Sequence, residues 1–152
     1  MMDKTIEFSL PNDLWLSVPP AAGQQFLAMR SGDFDVFRPN IAVDMAPLRP
    51  ETTLEQLADT VAGRLRLVDP DLKIAKRQID ESKRTILQQV NTVARDEEGR
   101  AISLSQAQVI VVAESVEGGE FVTYCFMLTA EASSLGEYVE DFQQFVGSAR
   151  IS

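Results

Sequence analysis

PETTLEQLADTVAGRLRL, Pro50 to Leu67, is the stretch on which the fold turns. Its apolar residues Leu54, Leu57, Ala58, Val61, Ala62 and Leu65 recur at three- and four-residue steps and so lie on one stripe of a helix. Glu55, Gln56, Asp59 and Arg64 fall on the other side. Thr52, with Glu55 three residues on, is placed to form a capping box in which hydroxyl and carboxylate satisfy backbone donors at the helix start. A helix with one apolar stripe needs a surface to cover, and the segments around it, apart from one near the C-terminus, read as strands or hairpins.

Upstream, Ile6, Phe8 and Leu10 alternate with Thr5, Glu7 and Ser9, and Pro11-Asn12-Asp13 makes a turn into a second strand, Leu14 to Val18. Phe26 to Arg30 is a third strand. Phe34 to Asn40 is aromatic but irregular, because Pro39 denies its neighbours a regular ladder. Ile41 to Met45 is a fourth strand, closed by Pro47 and Pro50. Downstream, Leu72 to Asp80 reads as an edge strand, with Lys73, Lys76 and Arg77 of the kind that protect an edge from pairing. Thr85 to Arg95, Ala101 to Ala113 and Phe121 to Ala130 follow through hairpin turns at Asp96 to Gly99 and at Gly118-Gly119. The last two strands are apolar on both faces and are expected at the centre of the sheet. Ser133 to Val146 is the second helix, with Ser134 and Glu137 as a capping box and Leu135, Tyr138, Val139, Phe142, Phe145 and Val146 as its stripe. Hairpin-length connections make neighbouring strands antiparallel, so the expectation is one α+β domain over residues 1–152.

Composition narrows the function by exclusion. The 152 residues are 45% hydrophobic and 24% charged, as in a soluble globular domain, and long enough to bury a core. A net charge of -9 argues against nucleic acid as a partner. The chain has no histidine, which removes the commonest general base and metal ligand. Its one cysteine, Cys125, lies in an apolar run and is expected to be a buried packing thiol. The first residues carry Asp3, Glu7 and Asp13 and no apolar run of signal-peptide length, and no stretch approaches the roughly 20 apolar residues of a membrane helix. The expected location is therefore the cytoplasm.

No reaction centre emerges. Asp33, Asp35 and Asp44 match no metal-loop spacing, Asp96, Glu97 and Glu98 belong to a turn, and Gly118-Gly119 lacks the helix and lysine of a phosphate loop. The chain is expected not to be an enzyme and to need no cofactor or metal. Two stretches suggest binding. Trp15, Phe34, Phe37, Arg38, Pro39 and Asn40 group aromatics with an arginine, the composition of interface hot spots, or else plug the open end of the sheet. Lys73, Lys76 and Arg77 form a secondary basic strip, suited to an acidic partner or to guarding an edge.

The chain resembles the LpqN/LpqT family of mycobacterial and related actinobacterial lipoproteins, within the PsbP-like superfamily. Phe8-Ser9-Leu10-Pro11 followed by Trp15, then Phe37-Arg38-Pro39-Asn40-Ile41, and Thr129-Ala130 before the last helix carry the resemblance. It implies a curved antiparallel sheet flanked by two main helices, with binding or accessory roles rather than catalysis. Family members are mostly anchored through an N-terminal lipidated cysteine, whereas the cysteine here is in mid-strand. The superfamily also includes the Eag-type chaperones of bacterial secretion effectors. The leading expectation is a protein-binding module, chaperone-like or a secretion-accessory adaptor, whose partner is another protein, a second copy included. The alternative is a carrier of a small apolar ligand or lipid in a cleft between sheet and helix, lined by some of Phe34, Phe37, Trp15 and Met45.

Overall fold

Period-two alternation along eight segments and a 3.6-residue period along two produce strands and helices where those patterns fall. A computed structural model describes residues 6–67, 69–114 and 120–151. The strands are β1 (Ile6–Glu7), β2 (Trp15–Val18), β3 (Gln24–Arg30), β4 (Asn40–Leu48), β5 (Lys73–Asp80), β6 (Thr85–Arg95), β7 (Ala101–Glu114), β8 (Phe121–Glu131) and β9 (Arg150–Ile151); the helices are α1 (Leu54–Gly63) and α2 (Val139–Ser148). Seven strands form one antiparallel sheet in the order β2-β3-β4-β8-β7-β6-β5, and β1 pairs with β9 in a two-stranded ribbon. This is an α+β fold, with β8 at the centre and β5 at an edge, as the patterns require.

The two helices lie on opposite faces. α1 buries Leu54, Leu57, Ala58 and Val61 against Ile86, Ile110, Val112 and Cys125 of β6, β7 and β8. Phe142 and Phe145 of α2 pack with Trp15, Ala28, Ile41, Val43, Tyr124, Phe126, Leu128 and Ala130, that is, over β2, β3, β4 and β8. Phe8, ahead of β2, completes this second core by meeting Phe26 and Phe145 at ring separations of 4.8 and 5.0 Å. The β8 run Thr123 to Phe126 is buried at four successive positions because one helix lies above it and the other below.

Four local expectations change. The capping box of α1 uses Thr53 and Gln56 rather than Thr52 and Glu55: Thr53 Oγ1 accepts from the Gln56 N–H at 3.1 Å, and Gln56 Oε1 accepts from the Thr53 N–H at 2.9 Å. Thr52 is unavailable because its own N–H already donates to the Arg49 carbonyl in a turn. The Ser134–Glu137 box does not form. Ser134 Oγ donates to the Glu131 carbonyl, Leu135–Glu137 makes a single 3-10 turn, and α2 begins only after Tyr138. That break seats Leu135 in the core and sets Tyr138 edge-on to Trp15 at 6.0 Å. β4 runs past Pro47 to Leu48, for β3 ends its pairing at Asp44 and leaves this part of β4 bonded on one side alone, where proline is tolerated. The first strand shrinks to Ile6–Glu7. The turn at Gly118-Gly119 lies outside the described residues.

The face assigned to α1 has a direct test. Val61 is 2% exposed and Thr60 is exposed, so Val61→Asp should cost several kcal/mol and Thr60→Asp little, as read by chemical denaturation. The shifted cap predicts that Thr53→Ala loses about 1 kcal/mol while Thr52→Ala stays near wild type. A loss at Thr52→Ala with Thr53→Ala near wild type would return the cap to Thr52.

Candidate functional site

A helix of ten residues cannot cover a face seven strands wide, and the shortfall creates the main groove. On the α2 side, β6 presents Leu87 and Gln89 and β7 presents Ala107 and Val109, with Lys76 and Gln78 of β5 at the lip. Val139, Phe142, Gln143 and Val146 of α2 form the wall. The open groove offers about 850 Å³. Leu87, beside the wall, is 44% exposed, as is Val93 six residues further along the same face of β6, so apolar surface is left open on this face.

The opposite face of these same strands is closed by polar as well as apolar contacts. Gln88 Nε2 donates to Gln108 Oε1 at 2.6 Å and to the Ala58 carbonyl of α1 at 3.0 Å, and Gln88 Oε1 accepts from Arg77 Nε at 2.8 Å. Arg77 also pairs with Asp59 of α1 at 2.7 Å. The cation of Arg77 is therefore spent inside the molecule, while Lys76 beside it, at the groove lip, joins no ion pair among the described residues.

The aromatic group named from the sequence divides. Trp15 is 1% exposed and belongs to the core, where its Nε1–H donates to Asp141 Oδ2 at 3.0 Å and the Arg30 guanidinium lies 6.0 Å from its ring. It is not a surface residue, because α2 and its preceding turn close over it. Pro39 is buried, Phe34, Phe37 and Asn40 are half-buried, and Arg38 is exposed. Arg38 Nη1 donates to the carbonyls of Arg30 at 2.6 Å and Gly32 at 2.9 Å, with its guanidinium 5.2 Å from the Phe34 ring, so it fastens its own loop. None of these six residues lines the groove, and neither does Met45. The groove residues Leu87, Val109, Val139 and Phe142 were legible only as helix and strand positions; the usable signal was β6 itself, which is apolar at both parities, Ile86 and Val90 against Leu87 and Val93.

The remaining titratable cluster is Asp44, Arg64 and Cys125. Asp44 and Cys125 are cross-strand partners, and Arg64, just past α1, reaches Asp44 at 3.8 Å. Burial, together with the Asp44 charge, pushes the Cys125 thiol up to about 12, so it is a packing group and not a nucleophile. Burial also raises Asp44 above its ordinary 3.8, against the opposing pull of Arg64. Among the described residues no group of three or more His, Cys, Asp or Glu side chains is placed to hold a metal ion, and no helix is long and apolar enough to cross a membrane.

No protein-family model matches the chain, and no curated protein sequence matches it significantly. Its fold is nevertheless shared with solved structures. The structure of LpqN, involved in cell envelope biogenesis of Mycobacterium tuberculosis, superposes with a TM-score of 0.66 at 14% identity, over 99% of this chain and 84% of that one. Cyanobacterial PsbP from Synechocystis superposes with a TM-score of 0.56 at 12% identity, over 98% and 92%. The fold is LpqN-like and PsbP-like.

The Asp44 environment predicts a pH signature. A raised carboxyl pKa means the folded state holds the proton longer than the unfolded chain, so stability falls as pH rises from 3.8 through the folded value. Asp44→Asn removes that loss. The variant should melt above wild type at about pH 7 and lose the advantage near pH 3. A variant that melts lower at neutral pH would show that the Arg64 pair outweighs burial.

Proposed function

We propose that the chain is a non-catalytic binding module that holds an apolar segment of a protein partner in the groove between α2 and β5–β7, as a chaperone-like or secretion-accessory adaptor does. The observation that carries this reading is the half-covered sheet face, on which Leu87 stands open beside the α2 wall. Its lining suits a peptide. Leu87, Ala107, Val109, Phe142 and Val146 offer apolar contact, while Gln78, Gln89 and Gln143 bring amides that donate and accept as a peptide group does. The carrier reading keeps one observation in its favour: the volume falls within the roughly 300–1,000 Å³ typical of small-molecule sites. A hydrocarbon ligand would leave those amides facing apolar surface.

A photocrosslinking residue at Leu87, compared with one at the equally exposed Leu16 on the far edge strand, tests the proposal in the cell of origin. Defined protein adducts from Leu87 and none from Leu16 are expected. Adducts from neither, with a lipid or metabolite retained in native mass spectrometry, would replace the adaptor with a carrier.

A further inference from the structure

We infer that the segment held in the groove is acidic along one side and that its carboxylates pair with a row formed by Lys73, Lys76 and Arg95. The inference rests on the reading of the groove as a protein-binding site and adds the charge of its occupant. β5 pairs with β6 as Lys73 opposite Asn91 and Ile74 opposite Val90, then resumes after one extra residue with Lys76 opposite Gln89. In an unbroken strand Lys73 and Lys76 would point to opposite faces. The bulge at Ala75 brings them to the same one. That face is the groove face: Lys76 lines the groove, and Lys73 and Arg95 border a neighbouring depression that Asp69, Asp71, Asn91 and Val93 also line. Strand spacing sets Lys76 and Lys73 about 7 Å apart along the sheet and Arg95 about 13 Å beyond, a row of roughly 20 Å.

All three residues are exposed, and none joins an ion pair among the described residues. The Arg95 guanidinium donates to the Gly99 carbonyl, a contact that leaves its charge intact. On this face of β5, β6 and β7 the acidic residue is Asp80, whose carboxylate accepts from Ser82 and the Lys83 N–H. Asp69, near Lys73, has both oxygens on the backbone N–H groups of Asp71 and Val93, and Asp71 beyond it is exposed. The α2 wall opposite carries no charge. A groove with apolar floor and wall, Lys76 at its lip and Lys73 and Arg95 beyond its end matches a segment with apolar residues on one face and carboxylates beside them. An anionic membrane is a poorer match. Its extended surface would meet the field of a chain with net charge -9, whereas a short segment stays within about 10 Å, a Debye length, of the row.

Two synthetic amphipathic peptides with the same leucine face, one flanked by glutamates and one by lysines, test the inference by fluorescence anisotropy. The glutamate peptide should bind about tenfold tighter, with the difference shrinking as salt rises. Lys73→Glu, Lys76→Glu and Arg95→Glu together should abolish that preference, and Leu87→Asp should weaken both peptides. All four positions are exposed, so melting curves should remain close to wild type. Equal binding of the two peptides that still depends on Leu87 would overturn the charge inference and leave the groove reading standing. Binding of neither would overturn both, and preference for phosphatidylglycerol vesicles over the glutamate peptide would assign the row to a membrane instead.

Discussion

The constraint on which the structure depends is the width of its sheet. Seven strands span roughly 29 Å, whereas a helix is about 10 Å across and ten residues of it are about 15 Å long. Neither α1 nor α2 can close a face alone. The molecule divides the work diagonally, α1 over β6–β8 on one side and α2 over β2–β4 and β8 on the other, so that β8 is sandwiched between them. Each helix thus leaves half a face uncovered. On the α1 side the uncovered half lies over β2–β4, where Leu16 remains 54% exposed. On the α2 side it becomes the groove.

A polar chain fixes how the outer strands sit under α1. Asp59, Arg77, Gln88, Gln108, Gln106 and Thr129 are linked in sequence by contacts of 2.6 to 2.9 Å, crossing from α1 through β5, β6 and β7 to β8. Gln88 and Gln108 are 4% and 2% exposed, so a slip of one residue would bury amides without partners while turning Ile86 and Ile110 to solvent. The chain therefore specifies register in the part of the sheet where only one face is covered. It also commits Arg77 inward, which separates that residue from Lys76 in role although they are neighbours in sequence.

Much of the fold was legible because periodicity and turn chemistry agree along most of the chain: α1, the β5 edge, the β6–β8 meander and the stripe of α2 all fall where their patterns place them. What failed was local. Two threonines offered two capping boxes, and the choice depended on a turn bond from Thr52 to Arg49 that no spacing reveals. The second helix starts late because Tyr138 must reach Trp15, a tertiary demand. The site was less legible than the fold. Trp15 and Arg38 carry the residue types of an interface, yet one is core and the other a loop fastener, since composition does not report burial. Leu87 and Val93 looked like one more apolar strand face until the reach of α2 was known.

The bulge at Ala75 divides the charged stretch between the two faces of the sheet. Lys73, Lys76 and Arg77 are consecutive enough to suggest one basic edge, but strand geometry sends residues to two faces, and one inserted residue decides which. With the bulge, Arg77 meets Gln88 and Asp59 beneath α1 while both lysines share the groove side. Without it, Lys76 would be carried under α1 in place of Arg77, a burial that a strongly hydrated ammonium tolerates poorly and for which Gln88 alone is a weak partner. The same insertion thus satisfies the buried network and concentrates positive charge where the sheet is uncovered. Lys73 and Lys76 thus share the sheet face that α2 leaves open, while Arg77 is held on the other.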